Sequence, residues 1–323
     1  MLRDGFDRRI EVLRISVTDR CNLRCVYCMP EVGVPHLDHA GILRYEEIIA
    51  VTRVLTRRGL QAVRLTGGEP LARRGVSELV RALAGIEGLD DIALTTNATL
   101  LNPPLADELA AAGLRRVNVG LPSLDPDTYR TLTRGGDLAA ALAGIDAALA
   151  AGLEPVKVNV VLLRGLNDDP APFLDLTRRL PVEVRFIEYM PIGAASSDRF
   201  LLPMVEFARR LEVFGPFDEV ATLVGRGPSG GGMQLPGAQG RIASITAMSE
   251  HFCARCNRLR LTADGNLRLC LFDRNEIDLK PALRPRIDEA RLDAMLTDAL
   301  AAKPEAMPEG PVEYGRRMSQ IGG

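Results

Sequence analysis

The chain has 323 residues, room for about two domains of ordinary size, and a 46% hydrophobic content that can fill both cores, which excludes disordered, collagen-like and mini-protein classes. Lys and Arg number 40 against 42 Asp and Glu, for a net charge of −2, so no chain-wide basic field exists to hold nucleic acid; aromatic residues at 4%, with no Trp, are too sparse for a base-stacking surface. The charged opening MLRDGFDRRI has no apolar run behind it, and no window reaches the ~18 apolar residues of a membrane span, so the expectation is a soluble cytoplasmic protein with neither a membrane nor a nucleic-acid partner.

From the N-terminus, β-branched runs at 11–17, 62–66, 92–96, 116–121, 156–162 and 182–188 alternate with helical patterns such as 46–57, 76–83, 104–112 and 138–151. Six βα units of this kind imply a parallel sheet. An open doubly wound sheet and a partly closed barrel both satisfy the order, so the strand faces decide between them. Strands covered by helices on both faces read as nearly all apolar. Here Leu13, Ile15 and Val17 stand opposite Arg14 and Ser16, and Val63 and Leu65 stand opposite Arg64 and Thr66. Likewise Val117, Val119 and Leu121 oppose Asn118, and Val156, Val158 and Val160 oppose Lys157 and Asn159. The run at 92–96 is weaker, with Thr95 and Asn97 near its end.

One consistently polar face predicts an α/β fold, a partial (β/α)6 barrel of the TIM type, with a wet lumen. Arg14, Arg64 and Lys157 would line that lumen, and three converging cations imply an anionic ligand such as a polyphosphate. The alternatives are a solvated strand face or pairing with buried carboxylates. Beyond about residue 200 the rhythm changes. The Gly/Pro-rich stretch 225–240 reads as a loop inside a smaller C-terminal region, so the expected division is a barrel part over 1–200 and a second part over 201–323. The latter contains strand-like runs at 242–248 and 258–262, a hairpin signal at Asp264-Gly265 and a final helix at 287–301.

The six cysteines form two trios at opposite ends of the chain, a pattern that favours metal or redox chemistry over disulfides in a cytosolic protein. Cys21, Cys25 and Cys28 make a CxxxCxxC motif just after the first strand, at the strand end where barrel sites are built. A structural zinc takes four ligands and a [4Fe-4S] cluster has four irons, so three thiolates leave one position open. An open iron beside a polar cavity can chelate a small molecule and pass it an electron. Cys253 and Cys256, with Cys270 14 positions further on, again lack a fourth cysteine, and His251 could complete a Cys3His zinc site instead. Arg258 and Arg260 alternate on a strand and share a face, as an anion clamp or a solvated surface. After the second strand, Gly67-Gly68-Glu69-Pro70 alone reads as a turn, but with the cysteine motif upstream it would let backbone approach a ligand closely.

Together these motifs resemble the radical S-adenosylmethionine superfamily, whose signature is CxxxCxxC with an aromatic residue, here Tyr27, before the last cysteine. The resemblance implies that the open iron binds the amino and carboxylate groups of S-adenosyl-L-methionine. Reductive cleavage then yields a 5′-deoxyadenosyl radical, hard chemistry that belongs to the cofactor. The stretches FDRR, LRISVTDRCNLRCVYCMP, RLTGGEPLARR, LTTN, VKVNVV, GLND, RFIEYMPIG and SEHFCARCNRLRLTADGNLRLCLF are similar to the GTP-cyclising family that opens molybdenum cofactor biosynthesis.

That resemblance implies two [4Fe-4S] clusters, one on Cys21, Cys25 and Cys28 and one on Cys253, Cys256 and Cys270. It implies S-adenosyl-L-methionine contacts at Tyr27, Gly68 and Met190, and GTP contacts at Arg14, Arg64, Thr95, Lys157 and an Arg258-Leu259-Arg260 turn. The terminal Gly322-Gly323 would lie near the active site. The implied activity is a lyase reaction in which the radical takes hydrogen from the ribose 3′ carbon of GTP, which then bonds to carbon-8 of guanine. An electron donor such as flavodoxin or ferredoxin, a downstream cyclic pyranopterin monophosphate synthase and a homodimeric assembly are the implied partners. The chain departs from the family pattern at Gly120, where a serine contact to the cofactor is usual, at Pro122, and at Ala98, where a glycine usually follows TTN. Competing readings are another radical S-adenosylmethionine enzyme with an auxiliary cluster, such as a peptide modifier, and a non-catalytic iron–sulfur or zinc protein.

Overall fold

The computed structural model describes residues 2–192, 198–223, 231–308 and 315–322. Its first half alternates strand and helix: β1 (Val12–Ser16), α1 (Tyr45–Arg57), β2 (Ala62–Thr66), α2 (Val76–Ala84), β3 (Asp91–Thr96), α3 (Pro103–Ala111) and β4 (Arg116–Gly120). Then follow α4 (Pro126–Thr133), α5 (Leu138–Ala150), β5 (Lys157–Leu162), α6 (Ala171–Arg179), β6 (Glu183–Glu188) and α7 (Met204–Leu211). The remainder holds β7 (Asp218–Val220), β8 (Gly232–Gln234), β9 (Arg241–Ile245), β10 (Arg258–Leu261), β11 (Asn266–Arg268), β12 (Glu276–Asp278), α8 (Lys280–Leu283) and α9 (Glu289–Ala301).

Local chemistry explains several helix starts. Asn102, Asp125, Asp137 and Asp288 each offer a side-chain oxygen to a free backbone N–H of the first turn of α3, α4, α5 and α9. In α3 and α4 the next residue is proline, whose missing N–H costs nothing there.

All the strands join one sheet in the order β12-β11-β10-β1-β2-β3-β4-β5-β6-β9-β8-β7. The six expected strands run parallel side by side, and β10 and β9, both from the C-terminal region, extend them in parallel at either end. Antiparallel β11 and β12 finish one edge, and β8 and β7 the other. No pairing among the described residues joins the two edges. Among the described residues the sheet is open, in keeping with a partial barrel. Asp264-Gly265 does turn a hairpin, between β10 and β11. The expected loop at 225–240 is corrected in part: β8 lies within it and pairs with β9, because Met233 alternates between small and polar neighbours as an edge strand can. Residues 225–230 lie outside the described residues.

The strand faces follow the alternation of the sequence. Leu13, Ile15, Val63, Leu65, Val117, Val119, Val158 and Val160 are all buried in the helix-covered core. The opposite face carries the polar residues. No helix among the described residues is long and apolar enough to cross a membrane.

Glu188, at the end of β6, ties the loops after β6 and β9 together. Its carboxylate accepts hydrogen bonds from Met204 N (2.8 Å), Met248 N (2.8 Å), Ser249 N (2.8 Å) and Ser249 Oγ (2.5 Å). Burial raises its pKa, but the bonds from Ser249, Met204 and Met248 outweigh burial and hold it below the usual glutamate value. A depressed carboxylate stabilises the fold above its unfolded-state pKa, and the benefit is lost as pH falls through the folded value. Glu188→Gln, which turns an amide N–H towards these donors, is expected to destabilise by about 2 kcal/mol at neutral pH. The gap should close on acidification. Denaturant melts of both proteins at pH 7 and pH 4 check this.

Candidate active site

The loop after β1 carries Cys21, Cys25 and Cys28. Cys28 N and Met29 N both donate to Cys25 O, at 2.9 and 3.1 Å, so the last two cysteines sit on one tight turn. Arg134, at the end of α4, donates to Arg24 O (2.9 Å) and Met29 O (2.8 Å), bracketing that turn. All six cysteines are unpaired and partly exposed. Burial, then the neighbouring Cys21, pushes the Cys25 thiol up to about 12. Burial with repulsion from Cys25 and Cys21 raises Cys28 as well. Three such thiolates together need a compensating cation, and soft sulfur donors suit iron–sulfur chemistry. The donor set thus fits a cluster. Among the described residues no three His, Cys, Asp or Glu side chains surround a single ion, so the fit rests on this donor chemistry and on placement.

The Gly67-Gly68-Glu69-Pro70 loop after β2 packs directly beneath the cysteine loop. Gly68 N donates to Thr18 O and Glu69 N to Arg20 O, each at 2.7 Å. A Cβ on Gly68 would lie 2.2 Å from Arg20 O and 2.9 Å from Cys21 N, both backbone atoms. Buried Glu69 in turn accepts from Thr96 Oγ1 (2.7 Å), Asn97 N (2.8 Å) and Leu71 N (3.0 Å), joining this loop to the one after β3.

The polar face of the sheet encloses a cavity of about 280 Å³. Its walls include Arg14, Arg64, Thr95, Lys157, Arg258 and Arg260, together with Tyr27, Met190, Cys28, Cys253, Cys256 and Cys270. Cys21, Cys25, Gly68 and Leu259 are not among its lining residues. Leu259 is fully buried on the other face of β10; the turn that the resemblance implied at 258–260 is a strand, as the alternation over 258–262 predicted, and it pairs in parallel with β1. Only the backbone of Leu259 is left to serve a ligand.

Register dictates the electrostatics. Arg14 pairs across to Arg260 on one side and to Arg64 on the other, so three guanidinium groups line up on adjacent strands, which are spaced about 4.8 Å apart. Burial, then repulsion from Arg260, Arg64, Arg258 and Arg185, pushes Arg14 well below its ordinary value. Burial and then Arg258 push Arg260 down to about 9. The Nε of Arg64 is buried with no hydrogen-bond partner among the described residues. Arg14 Nε and Arg260 Nη1 both donate to the Gly322 carbonyl, at 3.2 and 3.0 Å. Gly322 has φ +78°, and a Cβ there would meet Thr66 Oγ1 at 2.5 Å, so only glycine lets the tail reach the arginines. Gly323 lies outside the described residues.

Lys157 lines the cavity and is also paired: its Nζ lies 2.9 Å from Glu183 Oε1 and donates to Leu223 O at 2.8 Å. The carboxylate alternative therefore applies to Lys157. Burial, then Arg185, pushes it down to about 8. Arg185, which the sequence reading missed, lines the cavity and donates to Asn159 Oδ1 (2.9 Å), also on its wall, and to Asn118 Oδ1 (2.7 Å) behind it. The alternation of Glu183, Arg185 and Ile187 with Val184 and Phe186 carries the same signal that exposed Arg14 and Arg64. His251 also lines the cavity, with Nδ1 at 3.0 Å from Ala247 O.

Two departures from the family pattern have a structural reading. A Cβ at Gly120 would meet nothing closer than Thr96 O at 3.9 Å, so packing leaves room for a larger residue. Ala98 holds φ +61°, a left-handed conformation that favours glycine.

Residues 15–177 match the family model described as the Radical SAM superfamily, and residues 182–308 match that described as Molybdenum Cofactor Synthesis C. A GTP 3′,8-cyclase of Pelotomaculum thermopropionicum is 51% identical over 333 residues, covering 100% of both chains. One from Moorella thermoacetica is 50% identical over 325 residues, again at 100% of both. Among solved structures, Streptococcus suis SuiB bound to S-adenosylmethionine matches with a TM-score of 0.65 at 13% identity, covering 84% of this chain and 63% of that one, a likeness of fold.

Gly68→Ala is expected to displace the Arg20-Cys21 backbone and cost the N-terminal centre its metal. After anaerobic reconstitution, iron per chain should fall by about half, the share of one of two like clusters, with far-UV circular dichroism unchanged. Full iron content in the variant would contradict the close-packing role. By sequence and by fold, the chain belongs to the GTP 3′,8-cyclase family of the radical S-adenosylmethionine superfamily.

Proposed function

We propose that this chain converts GTP to 3′,8-cyclo-7,8-dihydro-GTP, the lyase reaction that begins molybdenum cofactor biosynthesis. One observation carries the reading: ligand cysteines from both trios and a row of buried arginines face a single cavity. A row of buried guanidinium groups suits a polyanion such as a triphosphate. Arg14, Arg64 and Arg260 are placed to take the triphosphate, the orphaned Arg64 Nε included, and Lys157, Arg258 and Thr95 complete the polar walls. Tyr27 and Met190 line the same cavity and would contact S-adenosyl-L-methionine, which would be held by Cys21, Cys25 and Cys28 through their cluster and by the Gly68 backbone. When bound, the N-terminal cluster supplies the electron that cleaves S-adenosyl-L-methionine to a hydrogen-abstracting radical.

The chain's own part is to bind, orient and exclude water. Phe252, Phe272, Met190 and Met318 wall the cavity with apolar surface, which keeps solvent from reactive species. The arginine row fixes the phosphates and thereby the direction in which the ribose extends. Cys253, Cys256 and Cys270 would hold the second cluster at the guanine end. The reading carries with it a cytoplasmic location, an electron donor of the flavodoxin or ferredoxin type, a cyclic pyranopterin monophosphate synthase downstream, and a homodimer.

The test is anaerobic reconstitution followed by S-adenosyl-L-methionine, reductant and GTP, with mass spectrometry for 5′-deoxyadenosine and cyclised nucleotide. Alanine at Cys21, Cys25 or Cys28 is expected to abolish both products. Alanine at Cys253, Cys256 or Cys270 should remove the nucleotide while leaving uncoupled cleavage; equal loss of cleavage from both trios would overturn the assignment. Arg14→Ala and Arg64→Ala should each weaken GTP binding roughly tenfold to a hundredfold by equilibrium dialysis, the worth of one charge-assisted contact of about 1.5–3 kcal/mol. Lys157→Ala should weaken binding too and lower stability besides, because Glu183 is then buried without its partner.

A further inference from the structure

Just past the end of α9, Lys303 is 2% exposed and is the most deeply buried cation near the C-terminal cysteines. Its ammonium donates to the carbonyl of Leu269, the residue immediately before Cys270. No carboxylate among the described residues forms an ion pair with it, in contrast to buried Lys157, which has Glu183. A buried ammonium with only a neutral carbonyl beside it is costly, so the missing countercharge lies elsewhere. Its field falls on Cys256 and Cys270. Arg8 binds the other ligand loop and the segment after Lys303, donating to Cys253 O at 2.8 Å and Glu305 O at 2.6 Å, but its charge is already matched by Asp4 at 2.7 Å.

We propose that Lys303 is a positioning residue for the C-terminal centre, supplying the buried positive charge that balances the thiolates of Cys253, Cys256 and Cys270 and tethering the Cys270 ligand loop through Leu269. The proposal rests on reading that trio as cluster ligands. A four-iron core held by three thiolates carries net negative charge, and a cluster's potential responds to net charge and to hydrogen bonding around it. Lys303 therefore raises the reduction potential of this cluster and slows its loss of iron, as partners behind the ligands commonly do.

The experiment uses the full chain with Cys21, Cys25 and Cys28 changed to alanine, so that only the C-terminal cluster contributes. Lys303→Met removes charge and tether, Lys303→Gln keeps a donor for Leu269 without charge, and Lys303→Arg keeps the charge. The expected result is a downward shift of the midpoint potential in a redox titration followed by electron paramagnetic resonance for the Met and Gln proteins, with the Arg protein near the parent. Iron release to a chelator should run on the order of tenfold faster or more in Lys303→Met. If Lys303→Met does not fold, the Gln protein alone decides the sign of the shift. An unchanged potential in the uncharged variants, or a shift in Lys303→Arg equal to theirs, would overturn the proposal. A parent protein that holds no cluster at all would overturn the reading of the trio first, and is seen before any lysine is changed.

Discussion

The parallel register that aligns Arg260, Arg14 and Arg64 on three neighbouring strands is the constraint around which the rest of this molecule is arranged. Like charges at strand spacing repel, and burial removes the water that would screen them. The fold tolerates the row because the tail brings the Gly322 carbonyl to two of the three guanidinium groups. A neutral carbonyl is a weak partner for two cations. Under the proposed function, a polyanion bound in the cavity would offset the repulsion along this row.

A second dependency runs through the loops at the ends of β1, β2 and β3. The cysteine loop rests on Gly68 and Glu69 by backbone hydrogen bonds, and the Glu69 carboxylate holds the start of the loop after β3. Burial pushes that carboxyl up to about 7, so it is kept in place by its donors at an electrostatic cost. Within this frame the two departures from the family pattern differ in kind. Ala98 places a side chain where the backbone prefers none. Gly120 leaves open space beside the cavity, and its lost hydroxyl is a change in what the wall can offer a ligand.

The C-terminal strands β9 and β10 flank opposite ends of the six-stranded array and both run parallel to it, so the segment between them must cross from the C-terminal edge of the sheet to the N-terminal edge, where Asn257 O accepts from Glu11 N and Val12 N. Cys253 and Cys256 lie on that segment, immediately before β10. Cys28 of the first trio, after the end of β1, and all three cysteines of the second therefore line one cavity, although they are more than two hundred residues apart in the chain. Arg8 and Lys303, from the two ends of the chain, then close around the same centre.

Much of this was legible in the sequence because the physics involved is local. Period-two alternation separated the apolar core face from the polar face that carries Arg14, Arg64 and Lys157, and cysteine spacing marked both trios. The same alternation would have exposed Arg185 had β6 been read by faces. What needed the tertiary structure depends on long-range pairing. Sequence spacing could not place β8 within a Gly/Pro-rich stretch, set the strand at Arg258–Leu261 beside β1, or pair Lys157 with Glu183. Nor could it bring buried Lys303 beside Cys256 and Cys270, since nothing local distinguishes a lysine after a helix end from a solvated one. Strand identity resides in neighbouring residues, whereas register and charge partners are decided only when distant segments compete for the same face of the sheet.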